Sequence, residues 1–520
     1  TLASALLANN IHLVGRSFKY HRPRGIMTCG SEEPNAIVQI GNDPSLTDPN
    51  VRATEIELYE GLEAFSQNCW PNVKFDIGGI NNLLSPLLPA GFYYKTFMWP
   101  ASFWEKYEFF IRHSAGLGKS PTKPDPDIYD HKYYHCDVLV VGGGISGIMA
   151  AKLSAENNNE TLLLDDKNIL GGATIYQNND CFQIDGTHTN YWLEKEIKNI
   201  KNIKNLTIKT RTSLAAYHGY NYLLAKENLT DHLSPDERKG KIRQRLWKIR
   251  AKKVIIATGS IERPLIFNNN DRPGIMLSSA IKKFIDFYGV KAGKEISLFT
   301  NNDSAYETAI SLKKSGVNIV SIIDIRDKSS SKIVKEVEKH NIKIYWKHTI
   351  VNTEGYRRIS FIEIMKLSDD GSGVIGKKIK LKTDCLGISG GWTPMVHLFT
   401  QSGGKLKFRS DDNVFLPDKN KTPSDQISIG SCNGDFDIKD IILNSNKDVK
   451  TFLGIENSSF DNLKVESSKE EIKRNIWLLP SDKPIGKTKP FLDFQNDSTA
   501  KDVKLGSYRS VDHPHKRWDD

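Results

Sequence analysis

The sequence predicts an α/β fold built on two strand–helix–strand units, and three observations lead to this prediction. First, the apolar run Val138–Val141 indicates a buried strand, which leads into a glycine-rich turn, a helical run over 148–156 and a second apolar strand, Thr161–Leu164. Second, the same order recurs over Glu295–Arg326. Third, Lys253–Gly259 is an apolar strand that ends in Ala-Thr-Gly. Strands that alternate with helices favour a parallel sheet.

The turn after the first strand has the glycine spacing of a dinucleotide-binding site. In Gly142-Gly143-Gly144-Ile145-Ser146-Gly147, Gly142 permits the tight turn, Gly144 lets the backbone approach a pyrophosphate, and Gly147 lets helix and strand pack closely. The phosphates would lie at the helix N-terminus, where free N–H groups and the helix dipole favour negative charge. Asp165 ends the second strand, where a carboxylate can bind the adenosine ribose hydroxyls.

Size and composition indicate a soluble protein of several domains. The chain has 520 residues, of which 38% are hydrophobic, and a mean hydropathy of -0.44. It contains no uninterrupted apolar run of about 18 residues, the length that a membrane span requires. Its six cysteines are irregularly spaced and form no C-x-x-C motif, which favours a reducing cytoplasm over a disulfide scaffold or zinc site. The first residues lack the basic leader of a signal peptide, and the missing initiator Met predicts a fragment of a longer protein.

The formal net charge of +10 does not by itself indicate nucleic-acid binding, because no basic binding module is recognisable. In the densest basic run, Arg238–Lys253, apolar residues alternate with charged ones, as in half-buried strands. The basic and aromatic segment Arg16–Arg24 leaves two interpretations open. It faces an anionic cofactor or acidic partner subunit, or it is a solvated loop.

Composition divides the chain into five parts. We predict a small helix-plus-strand module over 1–41, an irregular connector over 42–130, a nucleotide-binding domain formed by 131–265 and 384–445, a second nucleotide fold inserted as 266–383, and a final connector over 446–520. The turn of the second unit, Asn301–Ala305, contains no glycine and places Asp303 where a phosphate would be repelled. We therefore expect no second nucleotide.

The segment after the closing strand favours NAD over FAD. Strand Gln426–Ile429 leads into Gly430-Ser431-Cys432. In related flavoproteins this glycine is usually followed by an Asp that binds the flavin ribityl chain, whereas here the position is Ser431.

Several long segments strongly resemble the alpha subunit of heterotetrameric sarcosine oxidases. They are Arg16–Gly25, Glu32–Ala36, Arg245–Leu265, Asn269–Leu277, Thr300–Ala309 and Ser389–Leu406. Opine oxidase and hydroxyproline dehydrogenase subunits share the same architecture and remain alternatives. The resemblance implies a Rossmann-like two-dinucleotide-binding-domain oxidoreductase fold preceded by a ferredoxin-like α+β module.

The resemblance also implies cofactors and partners. In this family the alpha subunit binds NAD and assembles with beta, gamma and delta subunits. Sarcosine is oxidised on FAD in the beta subunit, electrons pass through FMN at the alpha–beta interface to O2, and tetrahydrofolate in the C-terminal half of the alpha subunit becomes 5,10-methylenetetrahydrofolate. Products are glycine and H2O2. By resemblance, residues 446–520 comprise a connector and the start of this aminomethyltransferase-like folate domain, most of which is absent here. Truncation or a frameshift would explain its absence.

By resemblance, NAD contacts fall on the following residues: Gly142, Gly143, Gly144, Gly147, Asp165, Asp166, Lys167, Gly171, Gly172, Thr212, Gly430, Ser431 and Cys432. Candidates to line the FMN site are Arg16, Lys19, His21, Arg22 and Arg24.

Two further expectations concern metal and catalysis. Three cluster-ligand positions of a plant-type ferredoxin fall on Thr28, Glu33 and Ala36, so we expect no iron–sulfur cluster and no other metal. The scattered histidines indicate no catalytic base. A self-contained flavin oxidoreductase and a purely structural subunit with an empty nucleotide fold are the competing classes.

Overall fold

The structure, a computed structural model, describes residues 1–85, 88, 99–176, 183–423, 425–466 and 474–504. Cys181 and the closing stretch 505–520 lie outside the described residues. The described α-helices are Leu2–Ala8, Trp104–Ala115, Ile145–Glu156, Thr189–Ile200, Pro235–Arg238, Ser278–Asp286, Ser304–Lys314, Lys332–Glu338, His397–Gln401 and Ile438–Leu453. Short 3₁₀ helices are Ile77–Asn82, Ala101–Phe103, Gly172–Tyr176, Lys419–Lys421, Gly430–Asn433 and Ile485–Lys487. None of these helices is long and apolar enough to cross a membrane.

The N-terminal module consists of the predicted helix Leu2–Ala8 and two small sheets. Strands Gly15–Arg16 and Pro23–Arg24 pair with each other. Strand Ile37–Ile40 lies between Asp48–Arg52 and Ala64–Ser66, antiparallel to both. The module's sheet therefore extends beyond the boundary that we predicted at residue 41, because both partners of its central strand come later in the chain.

The nucleotide domain is a mixed sheet whose parallel part contains the predicted strand–helix–strand unit. The parallel strands lie in the spatial order Leu206–Lys209, Thr161–Leu164, Ile128–Val141, Ile242–Ile256, and Gln426–Ser428 also pairs with Ile242–Ile256. The other end of Ile242–Ile256 continues into an antiparallel meander with Tyr222–Asn228 and Thr212–His218. The basic run at 242–251 is thus a half-buried strand, as its alternating charge predicted.

The inserted domain contains a five-stranded parallel sheet in the order Ile275–Leu277, Cys385–Ser389, Glu295–Thr300, Asn318–Asp324, Ile344–Trp346. A three-stranded antiparallel sheet follows, formed by His348–Glu354, Phe361–Leu367 and Val374–Lys382. We predicted that the chain returns to the first domain near Asp384. Instead, Cys385–Ser389 is an internal strand of the inserted sheet, and the return comes where Trp392–Pro394 pairs with Ser260–Glu262.

The remaining described strands form small antiparallel sheets of two or three strands. Leu406–Arg409 pairs with Val414–Pro417, Gln183–Ile184 pairs with both Thr187–His188 and Val465–Glu466, and Phe491–Asp493 pairs with Ser498–Thr499. The last pair packs Phe491 and Phe494 into the core that the N-terminal module shares with the inserted domain.

Candidate functional site

The backbone of the glycine turn lies so close to neighbouring backbone atoms that two of its positions have no room for a side chain. Gly142 has φ of +104°, a left-handed conformation, and a Cβ there would overlap the carbonyl group of Ala257. A Cβ on Gly147 would overlap the carbonyl oxygen of Gly142, which explains the tight contact between strand and helix. A Cβ on Gly144, in contrast, would meet nothing within 4 Å. Two glycines are therefore required by packing, whereas Gly144 faces open space.

That open space lies at the start of helix Ile145–Glu156. Gly144 is the N-cap residue, and no described side chain caps the first turn of this helix. The first-turn N–H groups have no carbonyl partner within the helix and carry the positive end of its dipole. This is the arrangement that binds phosphate, and the absence of a side chain at Gly144 leaves it accessible.

Asp165 lies directly behind this turn. Its Oδ2 accepts from the N–H of Gly143 at 2.6 Å and its Oδ1 from the N–H of Lys167 at 2.8 Å. Burial and then the neighbouring charge of Asp166 raise the pKa of Asp165 to about 6. Each carboxylate oxygen has a second lone pair, so the group can anchor the turn and still accept from a ligand hydroxyl.

The other predicted contacts in the first half of the domain gather around the same turn. Gly171 donates its N–H to the carbonyl oxygen of Gly143 at 2.8 Å, and a Cβ on Gly172 would lie 3.0 Å from the Cα of Gly144. Thr212 is buried and donates its N–H to the carbonyl oxygen of Asp165 at 2.8 Å. On the partly exposed side of the loop, the Nζ of Lys167 donates to Asp166 at 3.0 Å.

Of the predicted contacts Gly430, Ser431 and Cys432, Gly430 lies against the start of the helix that follows the glycine turn. Gly430 begins the 3₁₀ helix Gly430–Asn433. A Cβ on Gly430 would overlap the hydroxyl of Ser146 in helix Ile145–Glu156. The Sγ of Cys432 donates to the carbonyl oxygen of Ile429 at 3.1 Å. Cys432 is buried, and burial raises the pKa of its thiol, which disfavours the thiolate form.

The corresponding turn of the inserted domain is filled by its own side chains. Oδ1 of Asn302 accepts the first N–H of helix Ser304–Lys314 at 2.9 Å, and Asn302 is fully buried. The carboxylate of Asp303 pairs with Arg326 at 2.8 Å. An amide and a carboxylate therefore occupy the position that is open at Gly144.

Comparison with known proteins agrees with this geometry. Residues 136–436 match the model of the pyridine nucleotide-disulphide oxidoreductases. The chain belongs to this family. Membership implies a flavin or nucleotide cofactor and an oxidoreductase domain. Residues 1–69 match a model described as a 2Fe-2S iron-sulfur cluster binding domain.

The predicted resemblance to sarcosine oxidase alpha subunits is confirmed. The chain is 37% identical over 530 residues to the sarcosine oxidase subunit alpha of Rhizobium meliloti (strain 1021), which covers 99% of this chain and 50% of that protein. It is 31% identical over 526 residues to the corresponding subunit of Corynebacterium sp. (strain P-1), at 99% and 49% coverage. The chain thus spans about half the length of these relatives.

A solved structure supports the fold. The L-proline dehydrogenase from P. horikoshii aligns with a TM-score of 0.57 and 17% sequence identity, over 90% of this chain and 74% of that chain. At this identity the similarity shows the fold alone, which is the fold class that the sequence predicted.

The N-terminal residues do not fit the cluster that their family model describes. Residues 1–69 contain two cysteines, Cys29 and Cys69, whereas a plant-type cluster needs four thiolates. The three predicted ligand positions, Thr28, Glu33 and Ala36, do come together in one loop. There the buried carboxylate of Glu33 accepts from the backbone N–H groups of both Thr28 and Ala36.

The basic segment Arg16–Arg24 is neither solvated nor free to bind a cofactor through its arginines. Arg22 forms a bidentate pair with Asp271 at 2.6 and 2.7 Å, and Arg24 pairs with Asp271 and, at 2.5 Å, with Asp497. Arg24 is 1% exposed. Burial alone would raise the pKa of Asp271, but Arg22 and Arg24 hold it well below its usual range. Our expectation that Arg22 and Arg24 line a flavin site was therefore wrong, because both guanidinium groups are structural.

The other three basic residues of this segment also contact the protein's own groups. Arg16 donates to the carbonyl oxygen of Val73 at 2.9 and 2.6 Å, Nδ1 of His21 lies 2.8 Å from Asp76, and the ammonium of Lys19 lies over the Tyr20 ring.

Sequence reasoning missed one contact beside the loop formed by residues 165–168. Glu57 of the N-terminal module accepts two hydrogen bonds from Arg211, at 2.5 and 2.8 Å, and one from Asn168 at 3.0 Å. The backbone N–H of Arg211 in turn donates to the carbonyl oxygen of Lys167 at 2.8 Å. Because Glu57 and Arg211 are 154 residues apart, no local pattern could have indicated that the N-terminal module closes against this loop.

Proposed function

We propose that the glycine turn holds the ADP portion of one NAD molecule. The observation that carries the proposal is the uncapped helix start at Gly144, which offers N–H groups to a pyrophosphate. Asp165 supplies an acceptor for the ribose hydroxyls at the end of the neighbouring strand. Gly171, Gly172, Thr212 and Gly430 complete the walls, and the bound nicotinamide would supply hydride chemistry or serve a structural role.

The choice of NAD over FAD rests on Ser431. A hydroxyl cannot replace the carboxylate that orients a ribityl chain in related flavoproteins. The contacts of Glu57 with Arg211 and Asn168 support a tightly held ligand, because they hold the N-terminal module against the loop formed by residues 165–168. These residues bind and orient a dinucleotide; we assign none of them a catalytic step.

We further propose that the chain acts as the alpha subunit of a multi-subunit oxidase that demethylates sarcosine to glycine. O2 and tetrahydrofolate would be the co-substrates. FAD would lie in the beta subunit and FMN at the alpha–beta interface, with gamma and delta subunits completing the assembly. The similarity to two sarcosine oxidase alpha subunits supports this proposal. There are two alternatives. The chain is a subunit of a related opine oxidase or hydroxyproline dehydrogenase, or it is a non-catalytic structural subunit that binds NAD.

The test is to purify the chain, denature it and identify the released nucleotide by mass spectrometry. We expect one NAD per chain and no FAD. Co-expression with a beta subunit should then give a complex that retains FMN and oxidises sarcosine, whereas the isolated chain should not. Release of FAD would overturn the nucleotide assignment, and turnover of hydroxyproline or an opine in preference to sarcosine would overturn the substrate.

A further inference from the structure

The loop that the iron–sulfur family model covers is organised around the side chain of Glu33. Oε2 of Glu33 accepts from the N–H groups of Met27 at 2.9 Å and Thr28 at 2.7 Å, and from the Thr28 hydroxyl at 3.1 Å. Oε1 accepts from the N–H groups of Asn35 at 2.8 Å and Ala36 at 3.0 Å. The side chain is fully buried. Five donors from two sides of the loop thus converge on one carboxyl group.

The five donors indicate which ionisation state the Glu33 carboxyl group has. Four of the five are backbone N–H groups, which can donate but never accept, and they address both oxygens. If Glu33 were protonated, its O–H proton would face one of these N–H donors. The arrangement therefore favours the ionised carboxylate, in which both oxygens are acceptors. Burial raises the pKa of Glu33, and the N–H groups of Thr28, Asn35, Ala36 and Met27 oppose this rise. The loop is therefore built around an anion.

A [2Fe–2S] cluster makes the same demand on its loop. Its sulfurs accept hydrogen bonds from surrounding backbone N–H groups, and these bonds tune and stabilise it. We infer that the Glu33 carboxylate occupies the place of the cluster as the anionic centre of this module. The module then keeps its fold with a carboxylate that belongs to the chain and carries no electrons. Removing this carboxylate would leave its donors and its space to a small monocarboxylate from solution.

This inference is tested by removing the carboxylate and supplying it from solution. Glu33→Ala should leave the five donors without an acceptor, lower the melting temperature by several degrees and speed hydrogen exchange, read by mass spectrometry on peptides spanning residues 26–37. Sodium formate or acetate should restore protection in this variant, because either ion can enter the vacated space, whereas sodium chloride at the same ionic strength should not. Glu32→Ala, at the half-buried neighbouring position, is the matched control and should respond to neither carboxylate.

Three outcomes would overturn the inference. The first is protection of residues 26–37 in Glu33→Ala equal to that in Glu32→Ala. The second is rescue by chloride as effective as rescue by formate. The third is assembly of a cluster in the unaltered chain, seen as stoichiometric iron with visible absorbance after anaerobic incubation with ferrous iron and sulfide. If Glu33→Ala does not fold, Glu33→Gln tests the donor arrangement by hydrogen exchange without added carboxylate, because its side chain leaves no space for formate. Its amide nitrogen faces donors on one side only, so it should lose protection at either 27–28 or 35–36.

Discussion

Replacing Asp165 with Ala should weaken NAD binding through two separate contacts. In the proposed complex the ribose hydroxyls donate to this carboxylate, which already accepts from the N–H groups of Gly143 and Lys167 at 2.6 and 2.8 Å. Alanine removes the ribose acceptor and also releases both ends of the turn. Asp165→Asn keeps the size of the side chain, but its amide nitrogen faces one of the two backbone N–H donors, so this variant loses the charge together with one bond of the turn.

The magnitude follows from the charge on the acceptor. Hydrogen bonds to charged groups contribute about 1.5–3 kcal/mol each. Since about 1.4 kcal/mol corresponds to a tenfold change in affinity, losing the ribose contact should raise the Kd by about 10- to 150-fold. Loosening of the turn places Asp165→Ala at the upper end of this range and Asp165→Asn at the lower end.

The assay is equilibrium dialysis of labelled NAD against protein stripped of its nucleotide. Glu194→Gln, an exposed substitution on helix Thr189–Ile200, is the control and should bind as the unaltered chain does. Unchanged NAD affinity in Asp165→Ala would refute the ribose assignment.

The ionisation of Asp165 should also make NAD binding depend on pH. Ribose hydroxyls donate to the charged carboxylate, and in the free protein the pKa of Asp165 is raised to about 6, first by burial. NAD affinity should therefore be full above about pH 6 and fall by about tenfold per unit as the pH drops below that value. In Asp165→Asn the decline should disappear. A decline of the same size in both proteins would assign the titration to another group.

Three further perturbations test the site and its support. Gly144→Val should abolish NAD binding without unfolding the chain, because the new side chain enters the open space at the helix start; dialysis and a melting curve separate the two effects. Glu57→Gln should speed NAD release several-fold while costing about 0.5–1 kcal/mol of stability, since its pair with Arg211 is partly exposed; stopped-flow displacement of bound NAD measures the rate. Asp497→Asn should cost about 3 kcal/mol in chemical denaturation, because Arg24 is buried and loses one of its two carboxylates; a cost near zero would contradict a structural role for this pair.

The sequence predicted those parts of the fold whose pattern is contained in a short stretch of chain. The glycine turn, its two strands and the helix between them lie within residues 138–164, and all are present where periodicity and glycine spacing placed them. Strand pairing is not local in the same way. Cys385–Ser389 is apolar enough to fit either sheet, and only its pairing with Ile275–Leu277 and Glu295–Thr300 assigns it to the inserted domain.

Ion pairs of the buried arginines are also not predictable from local sequence. A run of cations beside aromatic rings normally indicates a surface, because isolated buried charges are costly. The carboxylates that pair with Arg22 and Arg24 are 249 and 473 residues away along the chain. A single sequence gives no signal that these groups meet, so the segment was assigned to a cofactor or to solvent.

Three of the described turns present backbone N–H groups to an acceptor or to open space, and they differ in what accepts from them. In the N-terminal module the acceptor is the carboxylate of Glu33, and at the inserted domain's helix it is the amide oxygen of Asn302, with Asp303 beside it. At Gly144 no described side chain takes this role, and the space is open. Unpaired N–H groups in a partly buried turn are costly unless a ligand or water accepts from them. We therefore expect a dinucleotide phosphate at the third place and none at the other two. A second nucleotide per chain in the released fraction would contradict this expectation.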